Sequence, residues 1–315
     1  IFIKMIELIR YNESYKSEWD VFIDKSRIDT FLFKRDFMDY HSDRFQDHSF
    51  LILRNGVLTG VMPGNVVDST FYSHQGLTYG GLVTSPKMTT NDVIQSFSLI
   101  NKELKLFGIN EVIYKPVPSI YHLIPSQEDI YALYRFGAMK MGCNISSTIF
   151  QTNKIPFIES RKSGIRKAKR ENVTVVECYD LAVFWEVLEA NLMKTHRKKP
   201  VHSVDEMIEL KSKFPSQIRL FCAICNNEVV GGTLLFVMKK VVHVQYISAN
   251  EKGKEMGAID LLFDEIINKL FPAIPVFDFG QSTENNGQYL NENLIFQKEG
   301  FGGRGIIYEI YNYIL

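Results

Sequence analysis

Leu220-Phe221-Cys222-Ala223-Ile224-Cys225-Asn226-Asn227-Glu228-Val229-Val230-Gly231-Gly232 reads as strand, turn, strand. Apolar runs flank two residues that tolerate positive φ, the chemistry of a tight hairpin. The first run is taken from Leu220 to Ile224, and the return runs through Val229 to Met238. The same phrase occurs earlier, where Phe50-Leu51-Ile52-Leu53 reaches Asn55-Gly56 and returns through Val57 to Met62. A third strand follows each hairpin, Phe71 to His74 in one copy and Val241 to Ile247 in the other. A helix comes next. Val93, Phe97, Ile100, Leu104 and Phe107 recur at helical spacing, with Asn91 as N-cap and Gly108 as stop. Ile259, Leu262, Ile266 and Leu270 repeat the pattern before Pro272. Each helix leads into a short apolar strand, Glu111 to Tyr114 and Val276 to Phe279. The copies are offset by about 165–170 residues, which divides the chain into two similar domains, 1–150 and 151–315. Two helices, Leu181 to Lys194 and Val204 to Lys213, precede the second hairpin, and Ser203 and Glu206 stand in capping-box spacing.

Composition supports a folded chain of this kind. With 315 residues the expectation is about two domains, and 45% apolar with 23% charged residues is ordinary for globular proteins. Lys+Arg and Asp+Glu are equal at 36 each, which argues against a protein built to grip DNA while allowing local basic patches. No apolar run approaches the ~20 residues that span a bilayer; Val229 to Met238 contains two glycines and ends at Lys239-Lys240. The first residues, Ile1 to Met5, do not read as a signal peptide. The four cysteines fit a reducing cytoplasm better than a disulfide scaffold.

Several familiar signatures are missing: no P-loop, no H-E-x-x-H and no G-x-S-x-G. Gly300 to Gly305 spells G-x-G-x-x-G, but it precedes the strand-like Ile306 to Tyr311 instead of opening a helix, so it reads as a turn. Cys222 and Cys225 are three apart on a strand and point to opposite faces, which makes them small core residues and not a metal or redox pair. With the seven histidines scattered, no metal site is expected.

Other clusters carry two readings each. Arg161, Lys162, Arg166, Lys167, Lys169 and Arg170 form either a solvated helix face or a clamp for phosphates. Arg197, in His196-Arg197-Lys198-Lys199-Pro200, follows a helix whose C-terminal dipole favours cations and is also a candidate substrate contact. Val244 to Asn250 runs into Gly253 and Gly257-Ala258 as strand, glycine-containing loop and helix. That is either a plain connection or an anion site at a helix start, with Ser248, Asn250, Gly253, Gly257 and Ala258 toward the donor and Tyr246, on the strand beside them, as a catalytic candidate where the oxyanion would be held. Phe277-Asp278-Phe279-Gly280 places one acid between two aromatics, with Asp278 a candidate substrate contact, and about twenty residues later stands Lys298. A cornered lysine stabilises oxyanion charge or moves a proton; an exposed one is structural.

Taken in order, these pieces resemble the FemAB-like branch of the GNAT acyltransferase superfamily, whose members carry two tandem GNAT-like domains. The carrying motifs are Arg161-Lys162-Ser163-Gly164-Ile165-Arg166-Lys167-Ala168, Val230-Gly231-Gly232, Tyr246-Ile247-Ser248, Phe277-Asp278-Phe279-Gly280 and the K-x-x-F-G run at Lys298. The resemblance implies an α/β (α+β) fold, each domain a mixed, mostly antiparallel sheet flanked by helices. It implies transfer of an acyl or aminoacyl group onto an amine, with acyl-CoA or aminoacyl-tRNA as donor substrate and no tightly bound cofactor. The acceptor it implies is a small molecule or a nucleotide-linked cell-envelope precursor, with tRNA as a partner and DNA excluded. Lys298 is the residue implied to stabilise the tetrahedral intermediate, and Arg166 and Lys167 to meet the acceptor. The GNAT pyrophosphate loop, (Q/R)-x-x-G-x-(G/A), is not spelled around Lys252 to Ala258. The rival reading is a non-catalytic module that binds a nucleotide-linked envelope precursor or tRNA.

Overall fold

A computed structural model describes residues 5–315. Their contacts divide the chain into two compact units: the residues up to Ile145 with Thr283–Tyr289 and Ile307–Leu315, and Ser146–Ser282 with Leu290–Ile306. The grouping therefore does not follow a single cut at residue 150. Two short later segments return to the first unit.

In the first unit, β1 (Ile6–Arg10), α1 (Lys16–Asp24) and α2 (Arg35–Met38) precede the hairpin β2 (Phe50–Arg54) and β3 (Val57–Met62). Asn55 and Gly56 turn it with φ of 51° and 74°, the left-handed geometry such a turn requires. Then come β4 (Asn65–Val67), β5 (Thr70–Tyr72), β6 (Val83–Thr84), α3 (Thr90–Leu106), β7 (Glu111–Tyr114), α4 (Glu128–Arg135) and β8 (Met139–Phe150), whose last residues belong to the second unit. The hairpin lies in the order β1-β2-β3-β6. The third strand of the copy, β5, does not join the hairpin but pairs with β4 on one side and, in parallel, with β7 on the other.

The N-cap of helix α3 lies two residues before Asn91. Thr89 is the N-cap: the Asp92 carboxylate accepts from Thr89 N at 2.9 Å and the Thr89 hydroxyl accepts from Asp92 N. This reciprocal pair satisfies two backbone donors, which Asn91 inside the first turn could not do. Val93, Phe97, Ile100 and Leu104 are buried as their spacing predicts, whereas Phe107, past the helix end, is 60% exposed.

The first unit also buries four histidines, His41, His48, His74 and His122. His41 and His74 stack with ring centroids 5.3 Å apart, and the nitrogens of His41 and Nδ1 of His74 lack a hydrogen-bond partner of good geometry. His74 sits at φ 75°. Gly76 lies flat on His41, where a Cβ would come within 2.2 Å of Nε2.

The second unit contains α5 (Glu159–Arg170), β9 (Thr174–Cys178), α6 (Ala182–His196), α7 (Val204–Lys213), β10 (Ile218–Cys225), β11 (Glu228–Val237), β12 (Val241–Ala249), α8 (Glu251–Met256), α9 (Ala258–Glu265), β13 (Val276–Gln281) and α10 (Glu292–Gly300). The final strand, β14 (Arg304–Ile314), starts in this unit and pairs its later residues with β7 in the first. The sheet runs β8-β13-β12-β11-β10-β9, antiparallel except where β12 and β13 run parallel. The capping box at Ser203 and Glu206 forms as read. Cys222 and Cys225 are free and buried, and the C-x-x-C spans a bulge of the antiparallel ladder, where Val230 of β11 is an extra residue between the Ala223↔Gly231 and Ile224↔Val229 pairs. Leu262, Phe263, Ile266, Phe277, Phe279 and Phe301 pack one core, and aromatic edges meet faces around Phe263. Leu270, last of the helical series, is 48% exposed.

Candidate active site

Two bulges open the second unit's sheet between its parallel strands. β12 and β13 are paired only at Val241↔Val276, Val242↔Phe277 and His243↔Asp278. Beyond that point β12 continues along β11 to Ala249 without β13. On β12, Gln245 is an extra residue between the Leu234↔Tyr246 and Leu235↔Val244 pairs. On β13, Phe279 and Gly280 together oppose Ser147, and Gly280 takes φ 75°. A bulge bends and twists its strand, so one on each of two neighbours makes them part.

A narrow slot lies in the parting. Val244 and Ile247 of β12, Phe279 of β13, Phe263 of α9, Phe301, and Leu294, Gln297 and Lys298 of α10 line it, around about 10 Å³ of cavity, room for roughly one water molecule. Helix α10 is set by Asn291, whose side chain accepts from Leu294 N at 3.1 Å. It delivers Lys298 almost fully buried, 6% exposed. The ammonium donates to Gly280 O at 2.8 Å and Gln281 O at 2.7 Å. An ammonium has three donors, so one N–H is left for the slot. Burial lowers the Lys298 pKa to about 8, against the field of Asp278.

Asp278 is sealed rather than presented to a ligand. It is fully buried, and its carboxylate takes hydrogen bonds from Ser146 Oγ at 2.5 Å, Gly280 N at 3.2 Å and His243 Nδ1 at 2.8 Å. Gly280 is thereby held through its N–H by Asp278 and through its carbonyl by Lys298.

Residues 159–289 match the family model of the acetyltransferase (GNAT) domain. No curated protein sequence matches the chain. Among solved structures, FemX is similar over 98% of this chain and 97% of its own, with 10% identity and a TM-score of 0.72. L-PGS from Bacillus licheniformis is similar over 80% of both chains, with 13% identity and a TM-score of 0.56. A tandem GNAT protein from the clavulanic acid biosynthesis pathway is similar over 98% of both, with 10% identity and a TM-score of 0.55. The chain has the FemAB-like tandem GNAT fold. Acyl transfer, in general, is the chemistry that a GNAT domain brings.

The other candidate residues of the GNAT domain do not converge on the slot. Tyr246 is on the face of β12 away from Val244 and Ile247: its ring meets Trp185 edge-on at 5.3 Å and its hydroxyl bonds His202 Nδ1 at 2.6 Å and accepts from His202 N at 3.2 Å. Burial raises its pKa. On α5, Ile165 and Ala168 face inward while Arg166, Lys167 and Arg170 are exposed. Arg166 pairs with Glu159 at 2.5 Å. Arg161 points inward instead, to Asp260 at 2.7 Å and over the Phe301 ring. Arg197 is the left-handed C-cap of α6, at φ 52°.

The segment read as a glycine-containing loop is helix α8, starting directly after β12. Asn250 caps it, accepting from Gly253 N at 2.8 Å, and Ser248 Oγ donates to Val187 O at 3.3 Å. Gly253 lies against β11, where a Cβ would fall 2.1 Å from Val230 O. Gly257, at φ 75°, lies against α5, where a Cβ would fall 2.6 Å from Gly164 O, and Ala258 is fully buried. The glycines thus let α8 and α9 approach their neighbours. Gly253→Ala is expected to destabilise the protein by about 3 kcal/mol, because the clash is with backbone that cannot rotate away; chemical denaturation showing less than about 1 kcal/mol would refute that packing role.

His243 and Ser146, which complete the ring of bonds around Asp278, were not singled out in the sequence. Neither sits in a recognisable pattern, and their meeting with Asp278 depends on strand register.

Proposed function

We propose that the chain moves an acyl or aminoacyl group from an activated donor to an amine of a cell-envelope or sugar-linked acceptor, at the parting of β12 and β13. The observation that carries this reading is Lys298. Two of its N–H groups are spent on Gly280 O and Gln281 O, which leaves one for a slot that Lys298 lines with mostly apolar residues. In such surroundings a fixed ammonium lowers the energy of a developing oxyanion far more than it would in water. The amine nitrogen attacks the donor carbonyl, the oxygen takes the negative charge beside Lys298, and collapse expels the donor's alcohol or thiol. At neutral pH a pKa of about 8 keeps the amine protonated, so it serves as a donor and not as a base. Asp278, itself out of reach, positions the Gly280 turn on which Lys298 rests.

Of the two donor classes, aminoacyl-tRNA fits better than acyl-CoA. The helix start that would cradle a pyrophosphate is capped by Asn250, and Gly253 is pressed onto Val230 O. The exposed Arg166, Lys167 and Arg170 on α5, with Arg197, offer phosphate contacts for a nucleic-acid donor or a nucleotide-linked acceptor. Calorimetry with coenzyme A is expected to give a Kd no tighter than about 1 mM, equivalent to about 4 kcal/mol. Micromolar binding would move the reading to acyl-CoA. Product formation by mass spectrometry, with acetyl-CoA and with charged tRNA as donors, tests the reading itself. Binding of tRNA with no transfer would favour a binding module.

A further inference from the structure

Helix α3 of the first unit carries Ser98, Asn101, Lys102 and Lys105 at helical spacing, so these four side chains share one face. That face is one wall of a groove of about 400 Å³, and Phe136, just past α4, and Ile314, near the end of β14, belong to the other. The walls are held in place. The Tyr313 hydroxyl donates to Asn101 Oδ1 at 2.8 Å, and the Phe136 ring stacks on Phe97 with centroids 6.2 Å apart.

The polar wall is cationic. Lys102 and Lys105 are exposed, and neither forms an ion pair among the described residues. The acid between them, Glu103, lies in the field of Arg10 on β1. The rim is apolar. Leu315 N donates to Asn110 O at 2.9 Å, which brings the end of β14 to the turn that follows α3. At that end of the unit three large apolar side chains are exposed: Leu106 at 73%, Phe107 at 60% and Ile314 at 71%. Grouped apolar side chains left in water mark a contact surface. Set beside unpaired lysines, they match the boundary between anionic head groups and acyl chains. A nucleic acid would supply phosphates for the lysines but no apolar phase for Leu106 and Ile314, whose aliphatic side chains give bases nothing to stack on.

We propose that this end of the first unit seats on an anionic phospholipid surface. A head-group phosphate lies in the groove beside Lys102 and Lys105, and Leu106, Phe107 and Ile314 dip among the first carbons of the acyl chains. The contact uses none of the residues that line the slot, so it stands or falls apart from the transfer reading.

Sedimentation of the full chain with vesicles tests it, using phosphatidylcholine alone or with one-third phosphatidylglycerol. Binding should require the anionic lipid. Lys102→Gln with Lys105→Gln should weaken it about twenty-five-fold, or about fivefold for each charge. Arg166→Gln with Lys167→Gln on α5 should leave it within about twofold of wild type, because the seat is on α3. Trp19 and Trp185 are buried, so Leu106→Trp reports the rim, and acyl-chain-brominated lipid should quench its emission. Equal binding to both vesicles, or a loss with the α5 pair and not with the α3 pair, overturns the proposal. So does Leu106→Trp emission that brominated chains leave unchanged. Glycerol phosphate and a short single-stranded RNA separate the other sources of phosphate. Micromolar binding of glycerol phosphate that the α3 pair abolishes would make the groove a site for a soluble phosphate. RNA binding that the same pair abolishes, without vesicle binding, would make it a nucleic-acid site. Either result overturns the lipid contact.

Discussion

Replacing Lys298 with Met is expected to lower kcat by about a hundredfold or more, while the chain stays folded. Removing one fixed donor from an oxyanion site costs about 10²–10³ in rate, or about 3–4 kcal/mol. Methionine keeps the volume of the buried stem, so the packing against Phe263 and Phe301 in the slot persists. The wild type should show a further signature. Because burial places the Lys298 pKa at about 8, raising the pH through 8 strips the proton from the donor, and kcat should fall. In Lys298→Met the residual rate should lack that descending limb. A folded variant with unchanged turnover would take Lys298 out of the chemistry.

Acid is expected to destabilise the first unit well before ordinary carboxylate titration would. Burial lowers the pKa of His74 to about 3 and that of His48 to about 4, and lowers that of His41 as well. At pH 8 these rings are neutral in both folded and unfolded chains and contribute no pH dependence. As pH falls below 6.5, the unfolded chain takes up protons that the native rings refuse, so each fall favours unfolding. By pH 5, His74 and His48 should together cost about 4 kcal/mol, about 2 for each ring. His74→Asn should remove its share of the slope, since asparagine tolerates the positive φ at this position. Denaturation midpoints that coincide at pH 8 and pH 5 would show that these rings are hydrated in the native state.

The fold was legible wherever a local pattern decides it. The Asn55-Gly56 and Asn226-Asn227 turns, the α3 stripe and the Ser203 capping box each depend on a few neighbouring residues, and each forms. The errors lie where distant packing wins. Asn91 has the chemistry of a cap, but Thr89 and Asp92 make the better pair. Gly253 suggested a loop because glycine usually breaks helices; here it is glycine because β11 is too close for a side chain. Lys298 could be singled out from its run, yet its state could not, since the carbonyls that hold it come from a bulge seventeen and eighteen residues earlier. The partners of Asp278 were out of reach for the same reason: Ser146 is 132 positions away and His243 is 35.

The pairing of β14 with β7 bears on how the protein is made. Tyr311 lies opposite Tyr114, about 200 residues earlier. A ribosome adding about 5–20 residues per second needs roughly 10–40 s to cover that distance. For that interval the nascent chain carries β7 with one side bare, an edge that could template aggregation. Chaperone dependence during synthesis should therefore centre on that strand, and a messenger recoded to slow translation before residue 307 should lower the soluble yield.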